Sequence, residues 1–312
     1  MILQIIKTMK SYIVAGIGCL MFSITIQQAG AQSLGNTSTL VDPPATQYFQ
    51  NQYIGNPSFA GIDSGLYING AYRRQLKNDP GVPVTMSFTA DYLVGNRVGA
   101  GLNVYRDVAG LISRTRVSLT YAYHMPLSQT GQQQLHFGLS AGLRNDRLDI
   151  KNINGDINDP SIGMYNRRDN YFDGDFGMAY TDGHLNLQAA LPNVVGYFSK
   201  ENREIANSAT FYAAASYRFY IGNEFTSIEP KACFRGVRGY DNIFDFGANV
   251  VFLDNWVNLF GLYHTSKNYT LGAGFNFRSA VGVQLIYTSQ TAGLRSYLDN
   301  NFTLALTINL FN

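Results

Sequence analysis

The 312-residue sequence is short of charge, of cysteine and of long apolar runs. Charged residues make up 14% of it, against roughly 25% in soluble domains. A formal net charge of +2 leaves no basic footprint for a nucleic-acid partner. Beyond the N-terminus no apolar stretch approaches the roughly 20 residues of a transmembrane helix, which excludes a helical membrane protein. The cysteines are Cys19 and Cys233. Cys19 falls in a segment that reads as a removable leader. Cys233 then stands alone, with no intramolecular disulfide or cysteine-based metal cluster open to it. What is abundant is aromatic and turn-forming: 21 Tyr, 20 Phe and 31 Gly against 9 Pro. That composition suits a large all-β chain.

Residues 1–31 read as a secretory signal. Lys7 and Lys10 form the basic start, Tyr12–Ile26 the apolar centre, and Ala29-Gly30-Ala31 a small-x-small cleavage site before Gln32. An N-terminal anchor and a lipoprotein attached through Cys19 are the alternatives. The short apolar run and the poor lipobox Gly16-Ile17-Gly18 count against them. Residues 32–63 are polar and aperiodic, and read as an N-terminal periplasmic extension. Residues 64–312 read as a barrel.

From Gly65 onward the hydrophobic period is two, the period of a strand with one greasy and one wet face. Met86, Phe88 and Tyr92 alternate with Thr85, Ser87, Thr89 and Asp91; Val117, Leu119 and Tyr121 with Arg116, Ser118 and Thr120. The pattern runs on through Leu135–Arg144, Phe172–Tyr180, Leu185–Leu191, Phe211–Ile221, Ile228–Arg235, Phe244–Phe252, Tyr269–Phe277 and Val281–Tyr287. It is weakest at Val257 and Leu259, because Phe260 and Leu262 occupy the other phase. With Leu66–Arg74 first and Asn301–Asn312 last, the chain holds about fourteen strands of roughly ten residues, the length of a tilted membrane strand.

The apolar phase carries almost no charge. The other phase carries Asp91, Arg116, Arg144, Asp173, Asp175, Arg218, Glu229, Lys231, Arg235 and Arg278. A soluble sandwich and a membrane barrel share this alternation. The large strand count, the export signal, the aromatics near strand ends and the Gly, Ser and Thr of the wet face favour the barrel. The fold class is therefore all-β, a transmembrane antiparallel up-and-down β-barrel of about fourteen strands. Tight connections at Gly95-Asn96, Asp182-Gly183, Gly222-Asn223, Asp254-Asn255 and Arg278-Ser279 contrast with longer ones at Lys77–Gly81, Arg147–Asn170, Pro192–Ser208, Gly236–Asn242 and Gln290–Asn300. Short periplasmic turns and long external loops then place both termini in the periplasm. Pro126–Gln133 and His264–Asn268 are the two exceptions.

No catalytic constellation emerges, and the chain reads as no enzyme and as needing no cofactor. His124 and His136 flank one hairpin; a hydrogen-bonded lumenal pair is the reading, a metal pair the alternative. Asn154–Asp159 resembles part of a calcium loop without the closing Glu, so a solvated turn is the reading and a weak external site the alternative. The lumenal charges Asp91, Arg114, Arg116, Arg144, Asp173, Asp175, Arg218, Lys231 and Arg235 must pair or stay wet. Their mixture of signs fits either a salt-bridged, filled lumen or a passage.

Gln47-Tyr48-Phe49 followed by Asn56-Pro57-Ser58-Phe59-Ala60-Gly61, with Tyr72-Arg73-Arg74-Gln75 beyond, resembles the start of the PorP/SprF family of the Bacteroidota. Asp159-Pro160 fits the family's acidic-Pro segment. Gln50-Asn51-Gln52-Tyr53 departs from its usual Asn-Pro. The resemblance implies an outer-membrane barrel of the type IX secretion and gliding-motility system. It also implies protein partners: periplasmic lipoproteins of the machine, or a secreted adhesin whose C-terminal sorting domain is exported or held at the surface. A porin or solute channel is the alternative function. Tyr48, Phe49, Asn56, Pro57, Phe59, Ala60 and Gly61 are then candidates for a partner-docking motif; a plug or clasp packed on the barrel's own rim is the other reading of the same residues.

In Asn301–Asn312, Phe302, Leu304, Leu306, Ile308 and Leu310 are expected to face lipid, and Thr303, Thr307 and Asn309 the lumen. This strand is expected to pair with Leu66–Arg74 and close the barrel.

Overall fold

The computed structural model describes residues 47–76, 82–148, 171–195, 209–222, 225–237, 242–277, 280–289 and 300–311. Asn36–Asn312 forms one compact unit. The expected signal segment, residues 1–31, lies outside the described residues, as do Asn154–Asp159 and Arg278.

The described strands are β1 (Leu66–Gln75), β2 (Val84–Leu93), β3 (Val98–Ala109), β4 (Ile112–Pro126), β5 (Gln134–Leu148), β6 (Tyr171–Thr181), β7 (Leu185–Leu191), β8 (Ala209–Tyr217), β9 (Phe219–Gly222), β10 (Phe225–Val237), β11 (Ile243–Phe252), β12 (Val257–His264), β13 (Asn268–Phe277), β14 (Val281–Thr288) and β15 (Asn301–Leu310). β8 and β9 both pair with β10 and are one barrel strand broken at Arg218. This makes a closed antiparallel barrel of fourteen strand positions. Closure is by β15 on β1, from Leu66 opposite Leu310 to Gln75 opposite Asn301.

Alternation puts the greasy phase outside. Leu119, Leu139, Leu143, Phe246, Leu271, Phe275 and Leu304 are exposed on the outer wall, where lipid replaces water, while Thr89, Ser118, Thr270 and Thr303 are buried inside. The strands pair on both sides around the barrel, and that backbone hydrogen bonding is what allows a sheet to stand in hydrocarbon. On β15 the inward set includes Thr303 and Asn309 and the outward set Phe302, Leu304, Leu306 and Leu310.

The turns fit their residues. Gly183 takes φ 85°, and Leu253, Asp254 and Asn255 all take positive φ in the β11–β12 turn. The Asp182 carboxylate accepts from the backbone N–H of Leu185 at 2.7 Å and of His184 at 3.0 Å. Those two bonds hold it below the usual carboxylate range. The alternation of short and long connections has a third exception, which sequence reading passed over. β3 and β4 join through Gly110 and Leu111 alone, at the end that carries the longer connections. Gly110 at φ 59° permits so tight a turn between two long strands.

Candidate functional site

The lumen is occupied by the chain itself. Residues 47–62 cross it before entering β1. Short 3-10 turns at Gln52–Ile54 and Pro57–Phe59 give the segment its shape. Asn56 caps the second turn: its Oδ1 accepts from the Ser58 N–H at 3.0 Å and from the Ser58 hydroxyl at 2.8 Å. Pro57 follows the cap, where its missing N–H costs nothing.

Each part of the segment is tied to a different strand. The Tyr48 hydroxyl donates to Asp245 on β11 at 2.7 Å, and its ring stacks on Tyr212 of β8. Gln50 donates to Thr307 on β15 at 2.7 Å, and Asn51 to Thr89 on β2 at 2.9 Å. The Gln52 side-chain oxygen accepts from Asn186 and Gln188 on β7 and from Lys231 on β10. Tyr53 donates to Thr120 on β4 at 2.7 Å. The Asn56 amide donates to the carbonyls of Met178 on β6 and Ala189 on β7, at 3.2 and 3.3 Å. The Gly61 N–H donates to Asp91 on β2 at 2.9 Å. A segment held from so many directions is a plug.

Four glycines of the wall make room for it: Gly99, Gly101, Gly138 and Gly177. A Cβ at Gly138 would fall inside the Pro57–Ser58 peptide, and one at Gly99 inside the Ala60 carbonyl. G138V should therefore displace the 3-10 turn at Pro57–Phe59 while leaving the outer face of β5 unchanged. The expected result is a barrel that still folds, with Ser58→Cys newly reactive to a water-soluble maleimide; equal protection in both backgrounds would count against it.

Two polar nodes anchor the ends of the plug. At one, Asp245 is fully buried and takes both Arg235 contacts, Nε to Oδ2 at 2.8 Å and Nη2 to Oδ1 at 2.9 Å. His264 Nδ1 meets the same carboxylate, and its Nε2 reaches the Thr270 hydroxyl at 2.9 Å. This Asp–His–Thr order resembles a catalytic relay, but Thr270 is itself fully buried and bonded to Thr288. It is a hydrogen-bond chain tying β11, β12, β13 and β14. At the other node His124 Nε2 donates to the Ala60 carbonyl at 3.1 Å. Its Nδ1 is then the acceptor, so His136 donates from Nδ1 across 2.8 Å, and Thr181 donates to His136 Nε2. Among the described residues no group of three or more His, Cys, Asp or Glu is placed to hold a metal. His124 thus holds Ala60, and His136 holds His124 in turn.

The candidate motif residues Tyr48, Asn56, Pro57, Phe59, Ala60 and Gly61 are all buried in the lumen, and Phe49 half-buried against Phe260. In this arrangement they face the barrel's own wall. The candidate lumenal charges sit on the inward phase. Arg116 bridges Asp173 at 3.0 Å and Asp175 at 2.7 Å; Arg218 pairs with Glu229 at 2.8 Å. Arg144 pairs with Asp146 on its own strand, and Arg114 lies 3.9 Å from Asp107. Asp91 and Lys231 are bound by the plug: Asp91 by Gly61, and Lys231 by the Tyr48 carbonyl at 2.6 Å and by the Phe49 ring.

Sequence reading missed Asp245 and His264 as a node. Asp245 stands in the wet phase of β11, so its inward direction was available; its partners were not. It also missed the apolar patch inside the lumen, where Phe260, Leu262 and Ile286 pack with Tyr48, Tyr212 and Cys233. Phe260 and Leu262 blur the period of β12 because they face the plug.

Solved outer-membrane barrels share this architecture at low identity. The toluene transporter TbuX of Ralstonia pickettii aligns at a TM-score of 0.50 and 11% identity, covering 83% of this chain and 93% of that one. The monoaromatic hydrocarbon channel CymD aligns at 0.50 and 11%, covering 85% and 94%. At this identity the likeness is one of fold. No curated protein matches the chain. The profile of the type IX secretion system membrane proteins PorP/SprF matches residues 37–308, which spans the plug and nearly the whole barrel, and the chain belongs to that family.

Proposed function

We propose that this protein is a plugged outer-membrane barrel that serves type IX secretion by binding proteins. Its partner is a periplasmic subunit of the machine, the sorting domain of a secreted adhesin, or both, so that the adhesin is exported or anchored at the cell surface. The observation that carries this reading is the plug: a lumen crossed by residues 47–62 and pinned at Asp245 and Ala60 suits a docking platform better than a pore. With the plug facing inward, docking falls to the rims and connections of the barrel. The shorter turns and both termini lie in the periplasm in this reading. No side chain described here is poised for catalysis.

Deletion of the gene is expected to leave one or more sorting-domain proteins unexported or shed into the medium, with uptake of small solutes unchanged. Normal surface display in the deletion strain would refute the proposal. A second reading, a hydrocarbon or solute channel, draws on the apolar lumenal patch of Phe260, Leu262 and Ile286. It requires conductance or solute flux through the intact protein in a planar bilayer or vesicle, which the first reading does not.

A further inference from the structure

The outward phase of the strands is almost free of charge, and its exceptions are grouped. Arg74, Arg106 and Arg147 are exposed on β1, β3 and β5. All three belong to the outward phase: their neighbours Arg73, Asp107 and Tyr105 are buried on the inward one. Each lies in the last few residues of its strand, at the end with the longer connections. Register places Arg74, Val84, Val108, Ser113 and Arg147 in one row across five strands. Arg106 sits between the two outer arginines, one residue pair nearer the middle of the barrel, opposite Met86. Strand spacing puts it roughly 12 Å from each at the backbone, within reach of two long side chains converging on one ligand.

Among the described residues the counter-charges at this end are turned away. Asp107, Asp146, Asp173 and Asp175 are engaged inside the barrel with Arg114, Arg144 and Arg116. Among the described residues none of the three outward arginines has a carboxylate partner. Tyr72 and Met86, next toward the barrel's middle, are exposed members of the apolar band. From Leu66 to Arg74 a tilted strand climbs roughly 20 Å, most of the height of that band. The arginines therefore stand where acyl chains end and headgroups begin.

We infer that Arg74, Arg106 and Arg147 form a binding site for a phosphorylated glycolipid of the outer leaflet. Guanidinium groups recognise phosphate by paired N–H bonds, and three on one face with no described carboxylate partner match a headgroup carrying several anionic groups. The apolar wall beneath them takes the acyl chains. A zwitterionic phospholipid offers this face a single phosphate and a competing cation. The inference rests on the proposed orientation, in which the longer connections are external.

The test is lipid retention by the purified full-length protein, measured by native mass spectrometry with added lipid A or phosphatidylglycerol. The comparison is between wild type, the triple variant R74Q/R106Q/R147Q, and K267Q, which removes a charge at the same end on the β12–β13 turn. Lipid A binding should fall at least about tenfold in the triple variant, the loss of roughly 1.4 kcal/mol or more, and stay unchanged in K267Q. Equal lipid A binding by the triple variant, or phosphatidylglycerol held as tightly as lipid A by the wild type, would overturn the site. Orientation is read separately by labelling Leu111→Cys on intact cells with an impermeant maleimide. Absence of label in a surface-competent strain sinks the orientation, and with it the outer-leaflet source, whatever the lipid measurement gives.

Discussion

Removing residues 47–62 while keeping residues 1–46 is expected to turn a silent barrel into a conducting one. In planar bilayers the intact protein should give no discrete steps, and the deletion variant should give single-channel openings. The physical reason is that the plug fills the lumen without being part of its wall. Every strand keeps both neighbours when the segment is gone, including the β1–β15 closure. What is lost is a set of side-chain bonds from Tyr48, Gln50, Asn51, Gln52, Tyr53 and Asn56 to the inner wall. Each is worth about 1 kcal/mol net, more where a charge is involved. Water can replace them, because the inner wall is built of Thr, Ser, Asn and paired charges. A deletion that fails to assemble would be uninformative alone, so G99V and G138V serve as full-length companions that crowd the plug from the wall side. Folded deletion and glycine variants that all remain non-conducting would show that something other than residues 47–62 closes the barrel.

The second large effect is expected at Asp245. D245A should destabilise the folded barrel by about 3–5 kcal/mol, the usual cost of removing one partner from a buried ion pair. Arg235 is buried at 2% exposure and has both of its Asp245 contacts to lose, and Tyr48 loses the acceptor for its hydroxyl. The measurement is the urea midpoint of the heat-modifiable gel shift in detergent or lipid. D245L combined with R235L removes the charges together and should recover much of the loss, since a buried pair is often no more stabilising than apolar residues of similar volume. Y48F should cost only about 1–2 kcal/mol, because Arg235 and His264 still satisfy the carboxylate. If D245A and Y48F destabilised equally, Asp245 would be acting through the plug alone and the Arg235 pair would be contributing nothing.

These two variants separate the functions of the lumenal groups. The deletion reports on closure, and D245A reports on what holds the wall and the plug together. Arg116 with Asp173 and Asp175 belongs to neither class: it stitches β4 to β6 within the wall and has no bond to residues 47–62.

The barrel itself was legible in the sequence. Period two needs no tertiary information, because each strand must turn one face to lipid and the other to the lumen wherever it stands in the sheet. That is why the outward phase of β15 and its pairing with Leu66–Arg74 could be read from alternation and chain order alone. The family start at Gln47–Gly61 was legible for a different reason, as a string of residue types at fixed spacing. Whether that string faced a partner or the protein's own wall was not in the spacing. It was decided by glycines far away in sequence, Gly99 on β3 and Gly138 on β5, whose missing side chains leave the volume that Ala60 and Pro57 occupy. The same holds for the ion pairs. Alternation sent Asp91, Lys231, Arg235 and Asp245 inward; the register of the paired strands β10 and β11 brought Arg235 to Asp245, while only the path of the plug chose the partners of Asp91 and Lys231. Asp91 went to a backbone N–H, Lys231 to a carbonyl, and Arg235 to Asp245. Period is a local property of one strand. Pairing across a lumen depends on which strands face each other once the sheet has closed.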